Sequence, residues 1–157
     1  MYLCLIEVQK LPYKVSHGKA VQVTYSSDEV FSRIKHEGIQ FIDLQFTGLT
    51  GHFHHTTISA DTFTPDQMKD GLPKLDGSSI IGFTSIQDSD LLLKPDPNTF
   101  AIIPWLTENK TARLLCDVYW GGNRGRLESD PRGISQKAEE YIKTQGFDFS
   151  TWGPEVE

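Results

Sequence analysis

The sequence predicts an α+β domain. Three observations carry the prediction. An alternating apolar–polar run is followed, across a glycine-bounded connection, by a second strand-like run. Short capped helices sit between strand-like runs. The regular strand–helix repeat of a doubly wound parallel sheet is absent. The 157 residues suit one domain with a single core.

Residues 1–25 read as an extension or an early hairpin. Tyr2–Val8 and Ala20–Tyr25 have strand character, and LPYKVSHGK between them has little pattern. Lys10, Lys14 and Lys19 stand there against Glu7 alone. From Ser26 the signals sharpen. Ser26-x-x-Glu29 is a capping box, Val30, Phe31 and Ile34 form an apolar stripe, and Gly38 is the stop. Ile39–Thr47 alternates, with Ile42, Leu44 and Phe46 on one face and Asp43 and Gln45 on the other. Gly48–Gly51 turns the chain, and His52–Ala60 returns as the partner of a hairpin. Thr64 caps a second helix with Pro65 at its first position, and Gly71 ends it.

Residues 72–90 read as a loop-rich segment. Leu91–Leu93, the PDPN turn and Phe100–Trp105 read as strand, turn and strand. Thr111–Tyr119 is a buried strand, and WGGNRGRLES a loop. Asp130 and Pro131 start a third helix, with Ile134, Ala138, Tyr141 and Ile142 as its apolar stripe and Glu139–Lys143 as an ion pair. Gly146 ends it, and STWGPEVE reads as a strand beginning.

Lys and Arg number 15 against 21 Asp and Glu, a formal net charge of −6. An acidic chain lacks the Lys/Arg patch that neutralises duplex phosphates, so no nucleic-acid partner is expected. No apolar run approaches the roughly 20 residues of a membrane span. Two cysteines, Cys4 and Cys116, are too few for a disulfide framework. The N-terminus lacks a positive residue ahead of its apolar run, which Glu7 interrupts. That is not a secretory signal, so Asn109-Lys110-Thr111 is given no weight as a glycosylation acceptor, and a cytoplasmic protein is expected.

Several residues have chemical potential. His52, His54 and His55 suggest zinc, but strand alternation leaves two on one face, and a polar hairpin face is the preferred reading. Gly121, Gly122 and Gly125 near Arg124 and Arg126 lack the lysine and hydroxyl of a phosphate loop, so a flexible surface loop is preferred. Cys116 lies in an apolar run and reads as a core residue. Asp76-Gly77-Ser78-Ser79 places a carboxylate beside two hydroxyls on a bent loop. This arrangement either holds a small cation or makes an Asx-type turn. Asp88, Asp90 and Asp96 make the surroundings acidic, which favours cations over phosphate. In a strand, Glu155 and Glu157 share a face about 7 Å apart, as two ligands for Mg²⁺ or Mn²⁺ or as an acidic tail.

Taken together, these residues resemble the N-terminal part of type I glutamine synthetase. The resemblance runs from near Ser26 to the last residue. It rests on IQFIDLQFTGLTG, LDGSSIIGF (75–83), SDLLLKPD (89–96), LLCDVY, DPRG (130–133) and GPEVE (153–157). Phe83 stands where many members carry Trp, and residues 1–25 have no counterpart.

The resemblance implies a β-grasp (ubiquitin-like) domain over 26–115, after an extension over 1–25. Residues 116–157 are then the first helix and strand of a truncated catalytic domain. It implies ATP-dependent ligation of ammonia to L-glutamate through γ-glutamyl phosphate. Asp76 matches the ammonium-site Asp that serves a neighbouring subunit of a ring. Ser79 and Asp90 match residues beside that site, and Glu155 and Glu157 match the first two metal ligands. Most of the nucleotide and glutamate site lies beyond Glu157, so the isolated chain is expected to be inactive and to self-associate. The alternative is a stand-alone β-grasp module, binding or regulatory, that co-assembles with full-length subunits.

Overall fold

The computed structural model describes residues 13–16, 19–22, 24–148 and 150–153. Strands β1 (Tyr13–Ser16) and β2 (Lys19–Gln22) pair antiparallel. The early hairpin is therefore present, but its first strand lies in the stretch that the sequence left without pattern. The reading of Tyr2–Val8 lies outside the described residues.

Helix α1 (Ser27–His36) starts at the expected capping box. The Ser26 amide donates to Glu29 Oε2 at 2.7 Å, and the Glu29 amide donates to Ser26 Oγ at 3.2 Å. Strands β3 (Phe41–Thr47) and β4 (Phe53–Ser59) form the expected hairpin. Helix α2 (Pro65–Asp70) has a capping box of its own, Thr64 with Gln67. Met68 is its buried side chain.

The segment 72–90 is more regular than expected. Leu72–Asp76 is strand β5, paired antiparallel with β6 (Asp90–Pro95), with a bulge between Leu72 and Leu75. Pro73 and the broken alternation of LPKLD hide this strand, since proline is tolerated only at sheet edges and bulges. In the expected strand Phe100–Trp105, only β7 (Ala101–Ile102) pairs.

The long strand β8 (Thr111–Trp120) organises the sheet, whose order is β4-β3-β8-β6-β5, with β7 also on β8. One edge of β8 takes β3 in parallel as far as Leu115. Beyond it the loop that follows β8 takes over, with Leu127 donating to Val118 O and Trp120 to Gly125 O. The other edge takes β7, then β6. A mixed sheet with α1 and α2 packed on its core face is the expected α+β arrangement.

Ile42, Leu44 and Phe46 of β3, Leu91 and Leu93 of β6, and Ala112, Leu114, Cys116 and Val118 of β8 are buried with Val30, Ile34 and Met68. This one-sided core fits the period of two in β3.

Helix α3 (Pro131–Thr144) starts at Asp130 as expected, and Lys143 Nζ lies 3.8 Å from Glu139 Oε1. Its apolar stripe, however, is not in the core. Ile134 is 52% and Tyr141 64% exposed, and the buried residue of the helix is Gly133. The helix is held by charge instead. Arg132 bridges Asp117 (2.5 Å) and Asp96 (2.6 Å), and Arg126 bridges Asp117 and Asp130, each at 2.7 Å. Arg126 also donates to Gln136. Asp130 is fully buried, caps the helix and accepts from the Val118 amide, which β3 no longer reaches. Residues 150–153 are not in a strand and Trp152 is exposed, and the rest of the strand expected in STWGPEVE lies outside the described residues.

Candidate functional site

The sheet brings Asp76 and Asp90 together. Asp76 ends β5, Asp90 opens β6, and the two are direct cross-strand partners. Partners in antiparallel register share a face with Cα atoms about 5 Å apart. The two carboxylates border an open groove of about 610 Å³, which Leu75, Leu92, Gly121 and Gly122 also line. Asp76 is exposed, and Ser79 stands exposed in the turn that follows.

Asp76 accepts from the Ser78 hydroxyl at 2.7 Å and from the Ser78 amide at 2.9 Å. The Ser78 hydroxyl, then its amide, with further help from Ser89 and Ser79, holds the Asp76 carboxyl below its ordinary value. The loop is therefore an Asx-type cap of a 3₁₀ turn, and its carboxylate is fixed and anionic. Gly77 is required here, because a Cβ would run into Thr84 Oγ1 and Leu91.

The glycine loop after β8 forms the far wall. The Gly121 amide donates to Asp90 O at 2.9 Å. The loop is pinned rather than free at Arg124, which pairs with both oxygens of Asp88 (2.7 and 2.8 Å), donates to Gly121 O and stacks 4.5 Å over Trp120. The Arg124 hydrogen bond holds the Asp88 carboxyl below its usual range. Arg126 belongs to the α3 clasp. The sequence signal for this wall was present in Asp88 and Arg124, but their 36-residue separation concealed the pairing.

Cys116 is buried, and burial pushes its thiol well above the ordinary range, as befits a core residue. Asp43, read only as a polar-face residue, is buried and accepts from Thr57 and Gln45, each at 2.8 Å, with His55 Nδ1 at 2.7 Å. His54 is not on a polar solvent face but stacks on buried Phe46. Among the described residues no three His, Cys, Asp or Glu side chains converge on a common metal position. Glu155 and Glu157 lie outside the described residues.

Residues 38–121 match the family described as glutamine synthetase, beta-Grasp domain. The chain belongs to that family. The glutamine synthetase of Sulfolobus acidocaldarius is 48% identical over 129 residues, which are 82% of this chain and 27% of the relative. That of Aquifex aeolicus is 42% identical over 134 residues, 85% of this chain and 28% of the relative. The chain thus spans little more than a quarter of the curated relatives it matches. The cryoEM structure of Plasmodium falciparum glutamine synthetase superposes with a TM-score of 0.69 at 23% identity, over 79% of this chain and 24% of that one. This last likeness shows a shared fold, and the sheet described above is the family's β-grasp. No helix among the described residues is long and apolar enough to cross a membrane.

Proposed function

We propose that the chain serves as the N-terminal part of a cytoplasmic glutamine synthetase, with residues 26–115 as its β-grasp domain and 116–157 opening the catalytic domain. The reaction is ATP-dependent ligation of ammonia to L-glutamate. Phosphorylation of the γ-carboxylate gives γ-glutamyl phosphate, ammonia attacks its carbonyl carbon, and phosphate leaves. Asp76 binds ammonium for a neighbouring subunit of the ring, with Ser79 and Asp90 beside it.

The observation that supports this best is the like-charge pair Asp76–Asp90 at the groove mouth. Facing carboxylates destabilise a strand pair, and a bound cation relieves that repulsion. The serine hydrogen bonds keep Asp76 ionised, which suits holding a cation. A carboxylate placed there also eases loss of the ammonium proton before attack. Mg²⁺ or Mn²⁺ would supply charge neutralisation to the phosphoryl transfer. On the family resemblance, Glu155 and Glu157 would be among its ligands.

The test uses the native product, captured with an antibody to the Ser26–Glu157 region. Intact mass well above 17.7 kDa, with glutamine formation whose KM for ammonium rises on Asp76→Asn, supports the reading. Unchanged ammonium dependence in that variant overturns it. The purified 157-residue chain is expected to form no glutamine from glutamate, ammonia and ATP.

A second reading, a stand-alone module that co-assembles with longer subunits, is favoured by the buried core, whose described members run from Val30 to Leu127 and include no residue of α3. A native mass of 17.7 kDa with co-migration alongside longer glutamine synthetase subunits would select it.

A further inference from the structure

Two imidazoles are not used by anything above. His52 immediately precedes β4 and His54 is its second residue, and their rings lie side by side. Their ring centres are 5.2 Å apart with the planes at 55°. Among the described residues, neither ring has a hydrogen-bond partner on its nitrogens.

The spacing has a chemical meaning. A metal about 2.05 Å from an imidazole nitrogen lies about 3.2 Å from the ring centre, and two such rings at a tetrahedral angle stand about 5.2 Å apart. The ring centres therefore stand at a separation compatible with a shared cation. His54 is preorganised, because it stacks on buried Phe46 at 5.3 Å and 17°. Its Nε2 lies close to Gly48, where a Cβ would fall 2.8 Å from that atom. His55 is the internal contrast. It faces the other side of the sheet, and its Nδ1 is engaged by Asp43.

We propose that His52 and His54 form a two-imidazole site for a borderline first-row cation of the Zn²⁺, Ni²⁺ or Cu²⁺ class, separate from the Asp76–Asp90 pair. Imidazole nitrogens select these ions, whereas Mg²⁺ and Ca²⁺ seek oxygen donors. Two ligands leave the remaining coordination positions to water.

The experiment is calorimetric titration of the EDTA-treated full chain with ZnCl₂ and with CuCl₂, with EPR of the Cu²⁺ form. The expected result is saturable binding, nitrogen hyperfine structure, indifference to excess Mg²⁺, and release on acidification as the imidazoles protonate. His52→Ala and His54→Ala each lose the binding, His55→Ala keeps it, and His52→Gln repeats the loss while retaining side-chain bulk. Circular dichroism checks that each variant is folded. Absence of binding by the unaltered chain overturns the proposal. So does binding that survives both alanine variants or vanishes in His55→Ala.

Discussion

Asp43 keeps a carboxylate at 6% exposure on the sheet face opposite the core. It is tolerated because Thr57, Gln45 and the His55 ring all point at it. Removing one side of a buried, satisfied network leaves its partners unpaired. Asp43→Ala should therefore lower stability by about 1–3 kcal/mol, read as a shift in the urea midpoint. Asp76 is the opposite case, exposed yet depressed by hydrogen bonds to its charged form. Ser78→Ala removes the largest of these, so the Asp76 titration midpoint should rise toward the ordinary value near 3.9. Carboxyl ¹³C NMR reads this directly. The sign follows from the depressed folded pKa. The contribution of Asp76 to stability is complete above the unfolded value and is lost as pH falls through the folded one.

At the scale of elements, α3 and the sheet are held by different forces. Leu93 is fully buried in β6, and Leu93→Ala should cost about 2–5 kcal/mol through the cavity it leaves. α3 depends on Asp130, which caps the helix, receives the Val118 amide and pairs with Arg126. Asp130→Ala leaves Arg126 short of a partner in a largely dry site and should cost about 3–5 kcal/mol. In hydrogen exchange, the protection of α3 amides should fall before that of β8.

The elements that the sequence revealed are those whose signal is local. The capping box of α1, the cap and proline of α2, the alternation of β3 and the Asp-Pro start of α3 each lie within a few residues. What stayed hidden depends on distant partners. β5 exists because β6 pairs with it across a bulge. Asp76 and Asp90 were each legible as acidic loop residues, but their facing one another is a property of that pairing register. The stripe of α3 has helical period, yet periodicity does not say which surface covers it.

For the molecule as a whole, several large apolar side chains remain in solvent. Ile134 and Tyr141 lie on α3, with Trp152 beyond it, and Ile81, Ile86 and Trp105 are each more than three-quarters exposed. Large exposed apolar groups promote association. Sedimentation of the 157-residue chain should therefore show concentration-dependent self-association, weakened by the double change Ile134→Asp, Tyr141→Asp. A monodisperse monomer at high concentration would contradict it. Net charge −6 opposes association generally, so the variant effect must be compared at fixed salt.

The charge clasp at the foot of α3 also gives the molecule two different thermal responses. Ion desolvation becomes less costly on heating, whereas the gain from apolar burial levels off. The joint made by Arg126, Arg132, Asp96, Asp117 and Asp130 should then tighten relative to the sheet as temperature rises. The gap in hydrogen-exchange protection between α3 and β8 should therefore narrow on heating.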